Sequence, residues 1–197
     1  VADFQAAFDR TLKHEGGYAD IPDDRGGETY RGISRKWNKD WPGWDIIDDL
    51  KKSYTGPHFN SALSRNKSLT ESVRDFYEQE YWKQLRCSEI DSQVIANEIF
   101  DTAVLMGKSW AIRFLQRGMN ALNRTGATYS DIKVDGRIGA KTLQILKECL
   151  SHNNEGLLLK IMDGLQLGRF IKIMDKDPSQ EQFARGWIKH RIQIGKI

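Results

Sequence analysis

One interruption in an otherwise helical pattern constrains this chain most. Apolar residues keep the three- and four-residue spacing of an amphipathic helix from the outset, through Phe4, Ala7, Phe8 and Leu12 with Thr11 among them, and Asp3 is placed to cap them. After Gly16-Gly17 the pattern gives way to a polar stretch over 18–32, rich in Asp and Gly, with turn signals at Pro22-Asp23-Asp24 and Gly26-Gly27. That stretch reads as a loop with a small β-hairpin. The fold class expected is mainly α, of the α+β kind: a helical body with one small sheet.

Helical pattern resumes around 34–39, followed by a cluster of Trp37, Trp41 and Trp44 with a Pro42-Gly43 turn inside it. A capping box at Ser68-Leu69-Thr70-Glu71 predicts a helix from 68 to about 86, with Leu69, Val73, Phe76, Tyr77, Tyr81 and Leu85 on one face. Ser92 is placed to cap the next, which carries Ile95, Ile99, Ala103 and Met106 and stops at Gly107. Trp110, Phe114, Leu115 and Leu122 suggest one more. A loop or short hairpin over 125–136 separates it from stripes running from Ile138 to Leu150 and from Leu158 to Met174. Ser179 with Gln182 reads as the cap of a last helix holding Phe183, Trp187, Ile188 and Ile192. The polar stretch 88–92 is the boundary expected, dividing the chain into segments 1–90 and 91–197, and so short a link favours two segments packed together.

With 197 residues and 39% hydrophobic content the chain can build a proper core. No apolar run approaches the roughly 18 residues that span a bilayer, so no membrane insertion is expected. No charged-then-apolar leader opens the sequence, and action outside the cytoplasm is expected to need another export route. The 30 basic and 27 acidic residues give a net charge of +3, a mild lean towards polyanions and no nucleic-acid signature. Arg185, Lys189, His190, Arg191 and Lys196 read as solvated surface. The four histidines lack metal-ligand spacing, and Cys87 and Cys149 read as two buried thiols, so no metal site is expected. Nucleotide-binding glycine motifs are missing, and no cofactor is expected.

The informative carboxylate is Glu15. Eleven residues after Phe4, about three helical turns, it projects within about 20° of Phe4 on the apolar face. It also falls in the last turn, where the carbonyl end of the helix dipole opposes a negative charge. Partial burial and the dipole both favour the protonated acid, the form in which a general acid works. Asp20, Asp23, Asp24 and Glu28 follow as candidates for a second group. Two carboxyl groups a short loop apart are the arrangement that cleaves glycosidic bonds.

His14-Glu15-Gly16-Gly17-Tyr18, then Asp23-Asp24, then Gly26-Gly27-Glu28-Thr29 and Gly32-Ile33 together resemble the signature of glycoside hydrolase family 108. That family comprises lysozyme-like N-acetylmuramidases, including phage endolysins and proteins labelled secretion activators. Val134-Asp135-Gly136-Arg137-Ile138-Gly139-Ala140-Lys141-Thr142-Leu143 resembles the core of the predicted peptidoglycan-binding segment that accompanies it. The resemblance implies a lysozyme-like fold with Glu15 as catalytic acid. Asp24, nine residues on, has the spacing of the catalytic Asp of phage-type lysozymes. Thr29 matches the threonine of the family motif; in phage-type lysozymes a threonine here positions the attacking water, and Thr29 stands one residue short of that spacing. Tyr18, Trp37, Trp41 and Trp44 would line the sugar cleft, although three Trp in eight residues also make a packing knot. The partner implied is the peptidoglycan glycan strand, cut between N-acetylmuramic acid and N-acetylglucosamine; a non-catalytic wall-binding or secretion-assisting protein is the alternative. Such an enzyme would be made in the bacterial cytoplasm and reach the wall, in the periplasm, through a holin or secretion machinery.

Overall fold

The computed structural model describes residues 1–12, 16–20 and 27–192. Among these, nine α-helices and one three-stranded sheet are arranged in two compact units. One unit is Phe8–Glu80; the other joins Val1–Ala7 to the chain from Tyr81 onward. The boundary read at 90 and 91 therefore lies inside the second unit. The chain passes between the units along α1 (Phe4–Leu12) and along a π-helical stretch, Glu78–Lys83.

The Phe8–Glu80 unit holds the sheet: β1 (Tyr18–Ala19), β2 (Thr29–Tyr30) and β3 (Ile33–Ser34), antiparallel in that order. Arg31 and Gly32 form the two-residue turn between β2 and β3, with φ of +45° and +79°. Positive φ at both central positions is the turn whose twist matches that of the flanking strands. Because β3 begins at Ile33, the chain after it turns, without the helix expected over 34–39. Three helices, α2 (Gly43–Ser53), α3 (Gly56–Arg65) and α4 (Lys67–Tyr77), complete the unit, α2 packing on both others. Its core gathers Tyr30, Ile33, Trp41, Trp44, Ile47, Leu63, Leu69, Val73 and Tyr77. Gly43 is required by that packing, since a Cβ there would lie 2.2 Å from the Trp41 ring.

In the second unit Asp3 caps α1 through Oδ1, which accepts from Ala6 N–H at 2.8 Å. The π-helical stretch carries Trp82 into the core beside Phe4 and Phe100, with ring centroids 5.7 and 5.9 Å away. α5 (Gln93–Met106) is capped by Ser92, as its sequence indicates, and ends at Gly107, whose φ of +93° suits glycine. α6 (Lys108–Leu122) packs against α5, α7 (Ala140–Ser151) and α8 (Glu155–Lys176). At Gly118 a Cβ would meet Leu158 at 2.6 Å, so a glycine sets how closely α6 approaches α8. Residues 125–136 contain no strand. A short 3₁₀ helix (Pro178–Phe183) and α9 (Ala184–Arg191) follow.

Two caps differ from those read in the sequence. Asn66 caps α4, its side chain accepting from Leu69 N–H at 2.9 Å, so the helix begins before the Ser68 box and passes into the π-helical stretch. Asp177 performs the role assigned to Ser179, accepting from that residue's N–H at 3.2 Å and hydroxyl at 2.6 Å. In both places an equal or better acceptor stands two residues earlier. Arg191 is likewise no surface residue: it is 6% exposed and pairs with the buried Asp101 of α5. Cys87 and Cys149 are both buried free thiols.

Candidate functional site

Glu15 and Asp24 lie outside the described residues; in the chain they fall in the connections between α1 and β1 and between β1 and β2. The three strands themselves are described, and their register separates the remaining candidates. Tyr18 stands opposite Tyr30 and Tyr30 opposite Ile33, whereas Ala19, Thr29 and Ser34 are in register with one another. Side chains alternate along a strand and share a face across it. Tyr18, Tyr30 and Ile33 therefore occupy the packed face, and Thr29 lies on the other with Ala19 and Ser34. The structure does not bring Thr29 and Tyr18 together.

The packed face is held by ions as well as rings. Tyr18 meets Phe59 edge-on with centroids 5.0 Å apart, and the Lys51 ammonium lies 5.2 Å from its ring centre. Lys51 Nζ also reaches Glu28 Oε1 at 2.8 Å, and Arg35 Nε stands 2.7 Å from Glu28 Oε2. The Arg35 fork then grips Asp48, Nη1 donating to Oδ2 at 2.9 Å and Nη2 to Oδ1 at 2.6 Å. Its guanidinium plane covers Trp44, 4.5 Å from the ring centre. The bond from Arg35 holds Asp48 below the ordinary carboxylate range. Burial raises the Tyr18 phenol above its usual value. Glu28, with its side chain only 14% exposed and two cations on it, ties the hairpin to α2. This network escaped the sequence reading, because its members are up to 23 residues apart.

The three tryptophans divide. Trp41 and Trp44 are 7% and 2% exposed, and their indole N–H groups donate to the backbone carbonyls of Ser72 and Asn38 at 3.2 and 2.7 Å. They form the packing knot, which corrects their reading as open sugar platforms. Trp41 keeps an edge on a cavity of about 220 Å³ shared with Pro42, Ser72 and Phe76. Trp37 is 73% exposed, three residues beyond Ser34 of the Thr29 face, and is the member of the cluster that leaves a ring face open.

The second unit contains a loop set by two amides of α6. Asn120 accepts from Ile132 N–H at 2.9 Å and donates to the Ile132 carbonyl at 2.8 Å, as a neighbouring strand would. One turn earlier, Gln116 accepts from Gly136 N–H at 2.9 Å and donates to Asp135 Oδ1 and to the Arg137 carbonyl, both at 3.0 Å. Gly136, with φ of +75°, has no room for a Cβ, which would lie 2.4 Å from Ser109 Oγ. These contacts explain the Asp135-Gly136 step of the sequence motif. Among the described residues, no group of three or more His, Cys, Asp or Glu could hold a metal ion. No described helix is long and apolar enough to cross a membrane.

A helical protein with one small three-stranded antiparallel sheet is of the lysozyme-like, mainly-α class. The glycosyl hydrolase 108 family model matches residues 8–107, and the chain belongs to that family. Residues 110–192 match the predicted peptidoglycan domain. These features define a peptidoglycan-acting, lysozyme-like protein of a glycoside hydrolase family, with peptidoglycan as its partner. Among solved structures, that of Brucella abortus SagA is similar at 20% identity with a TM-score of 0.59, over 94% of this chain and 87% of that one. No curated protein is significantly similar in sequence.

Proposed function

We propose that this protein is an N-acetylmuramidase that hydrolyses the bond between N-acetylmuramic acid and N-acetylglucosamine in peptidoglycan. The observation that carries the reading is membership of the glycosyl hydrolase 108 family together with the retained run from His14 to Ile33. In this reading Glu15 protonates the leaving glycosidic oxygen. Asp24 activates water or stabilises the oxocarbenium-like transition state, and Thr29 orients the water. The position of Thr29 on the sheet face away from Tyr18 and the ion network supports a role towards substrate, and Trp37 is the aromatic available to a sugar ring. The chemistry needs no cofactor. The place of action is the wall, reached through a holin or a secretion system.

Digestion of purified peptidoglycan, followed by borohydride reduction and mass spectrometry of the soluble fragments, tests the bond assignment. Reduced N-acetylmuramic acid ends are the expected product. Reduced N-acetylglucosamine ends would instead make the enzyme a glucosaminidase. Binding with no fragments would make it a wall-binding protein.

A further inference from the structure

We infer that the groove between α2 and α3 is a second glycan-binding site, one that takes a neutral N-acetylated sugar of the wall. The groove, about 320 Å³, lies within the Phe8–Glu80 unit and is lined by Leu50 and Tyr54 from the end of α2 and by His58, Ser61 and Arg65 of α3, with Asn66. His58, Ser61 and Arg65 stand three and four residues apart, so they share one face of α3. Among the described residues no carboxylate lines the groove. The Tyr54 ring is 45% exposed and stacks on no other described ring. The side chains of His58 and Arg65 make no hydrogen bond or ion pair among the described residues, whereas Arg35 and Arg74 of the same unit are both spent on carboxylates.

A pyranose ring has an apolar face of C–H groups and a rim of hydroxyl and acetamido oxygens. An open aromatic ring covers such a face, and planar donors beside it answer the oxygens. Arg65 carries five N–H donors, and His58 at least one. Asn66 spends its Oδ1 on the Leu69 N–H at 2.9 Å, which leaves its Nδ2 to donate. The frame is also set before a ligand arrives. The Tyr54 N–H closes α2 by donating to the Leu50 carbonyl at 2.9 Å, Pro57 stiffens the first turn of α3, and Asn66 is fixed by capping α4. A site ordered beforehand loses less freedom on binding. Next to His58 in the chain, Phe59 meets Tyr18 of the sheet, so α3 serves the sheet with one face and the groove with another. A strand held in the groove keeps the unit that carries Thr29 on insoluble wall between cuts. The inference rests on peptidoglycan being the partner and not on which bond is cut.

The test is a nuclear magnetic resonance titration of the full chain, carrying Glu15→Gln, with chitotetraose as the neutral probe. Shifts of the backbone amides over 54–66 are expected, with binding weakened about tenfold or more by Tyr54→Ala and by Arg65→Ala. Tyr54→Phe keeps the ring and should bind as the parent does, and Trp37→Ala should leave the shifts over 54–66 in place. Circular dichroism melts establish that the variants fold. Chitotetraose that leaves the amides over 54–66 unmoved would overturn the assignment, as would a folded Tyr54→Ala that binds unchanged. So would inorganic phosphate that shifts the same amides at lower concentration than chitotetraose, since the groove would then be an anion site. Each readout is binding by a chain without Glu15, so failure of the muramidase reading leaves the outcome intact.

Discussion

The Tyr77 hydroxyl of α4 donates to the Arg31 carbonyl at 2.7 Å, across 46 residues, and so fastens the turn that joins β2 to β3. Arg31 occupies the left-handed region with φ of +45°, a conformation that costs a non-glycine residue energy. The bond holds the hairpin carrying Thr29 against a buried ring. Tyr77→Phe keeps the ring and removes the bond, so a loss of about 1 kcal/mol in urea unfolding is expected, with faster amide exchange in the hairpin. Unchanged exchange there would show that the turn holds itself.

Glu28 offers a sharper separation of structure from chemistry. Clamped by Arg35 and Lys51, it is a framework residue of the packed face. Glu28→Gln should cost roughly 1–2 kcal/mol, discounted because both cations are about one-third exposed, and should leave measurable lytic activity at a permissive temperature. A folded, fully stable and inactive Glu28→Gln would place this carboxylate in the reaction instead.

The sequence made helix starts legible at Asp3, where one acceptor had no rival, and at Ser92. It misled at Ser68 and Ser179, because Asn66 and Asp177 stood two residues earlier with equal or better acceptors. The hairpin was legible from its Asp and Gly content, but the face each residue takes depends on register, which composition does not carry. That is why Tyr18 and Thr29, neighbours in the motif, part company in the sheet. Arg191 looked like one more cation in a basic run because its partner, Asp101, lies 90 residues away. The family motif marked Asp135-Gly136 without revealing that Gln116 and Asn120 shape the loop.

Removing one member of the Asp101–Arg191 pair leaves an uncompensated buried charge. Arg191→Met alone should destabilise the protein by about 3–5 kcal/mol in denaturant titration, whereas Asp101→Leu with Arg191→Met should recover much of that loss. A single substitution costing under about 1 kcal/mol would mean that the pair is hydrated in solution.

Acid should loosen the α6–α7 loop. The Gln116 amide first, and then the Arg137 N–H, depress the Asp135 pKa below its ordinary 3.8. A depressed carboxylate contributes stability that is full above the unfolded-state value and disappears as pH falls through the folded one. Asp135→Asn keeps an oxygen acceptor and removes this titration, so the stability of the variant should fall less steeply below pH about 4. An identical slope would show that Asp135 contributes no such linkage.

Glu15 bears the central claim. Insoluble peptidoglycan incubated with wild type and with Glu15→Gln, its released fragments read by mass spectrometry, tests it most directly. Wild type should release fragments with new reducing N-acetylmuramic acid ends, while folded Glu15→Gln still pellets with the wall and releases none. Release of the same fragments by Glu15→Gln at the wild-type rate would contradict the account.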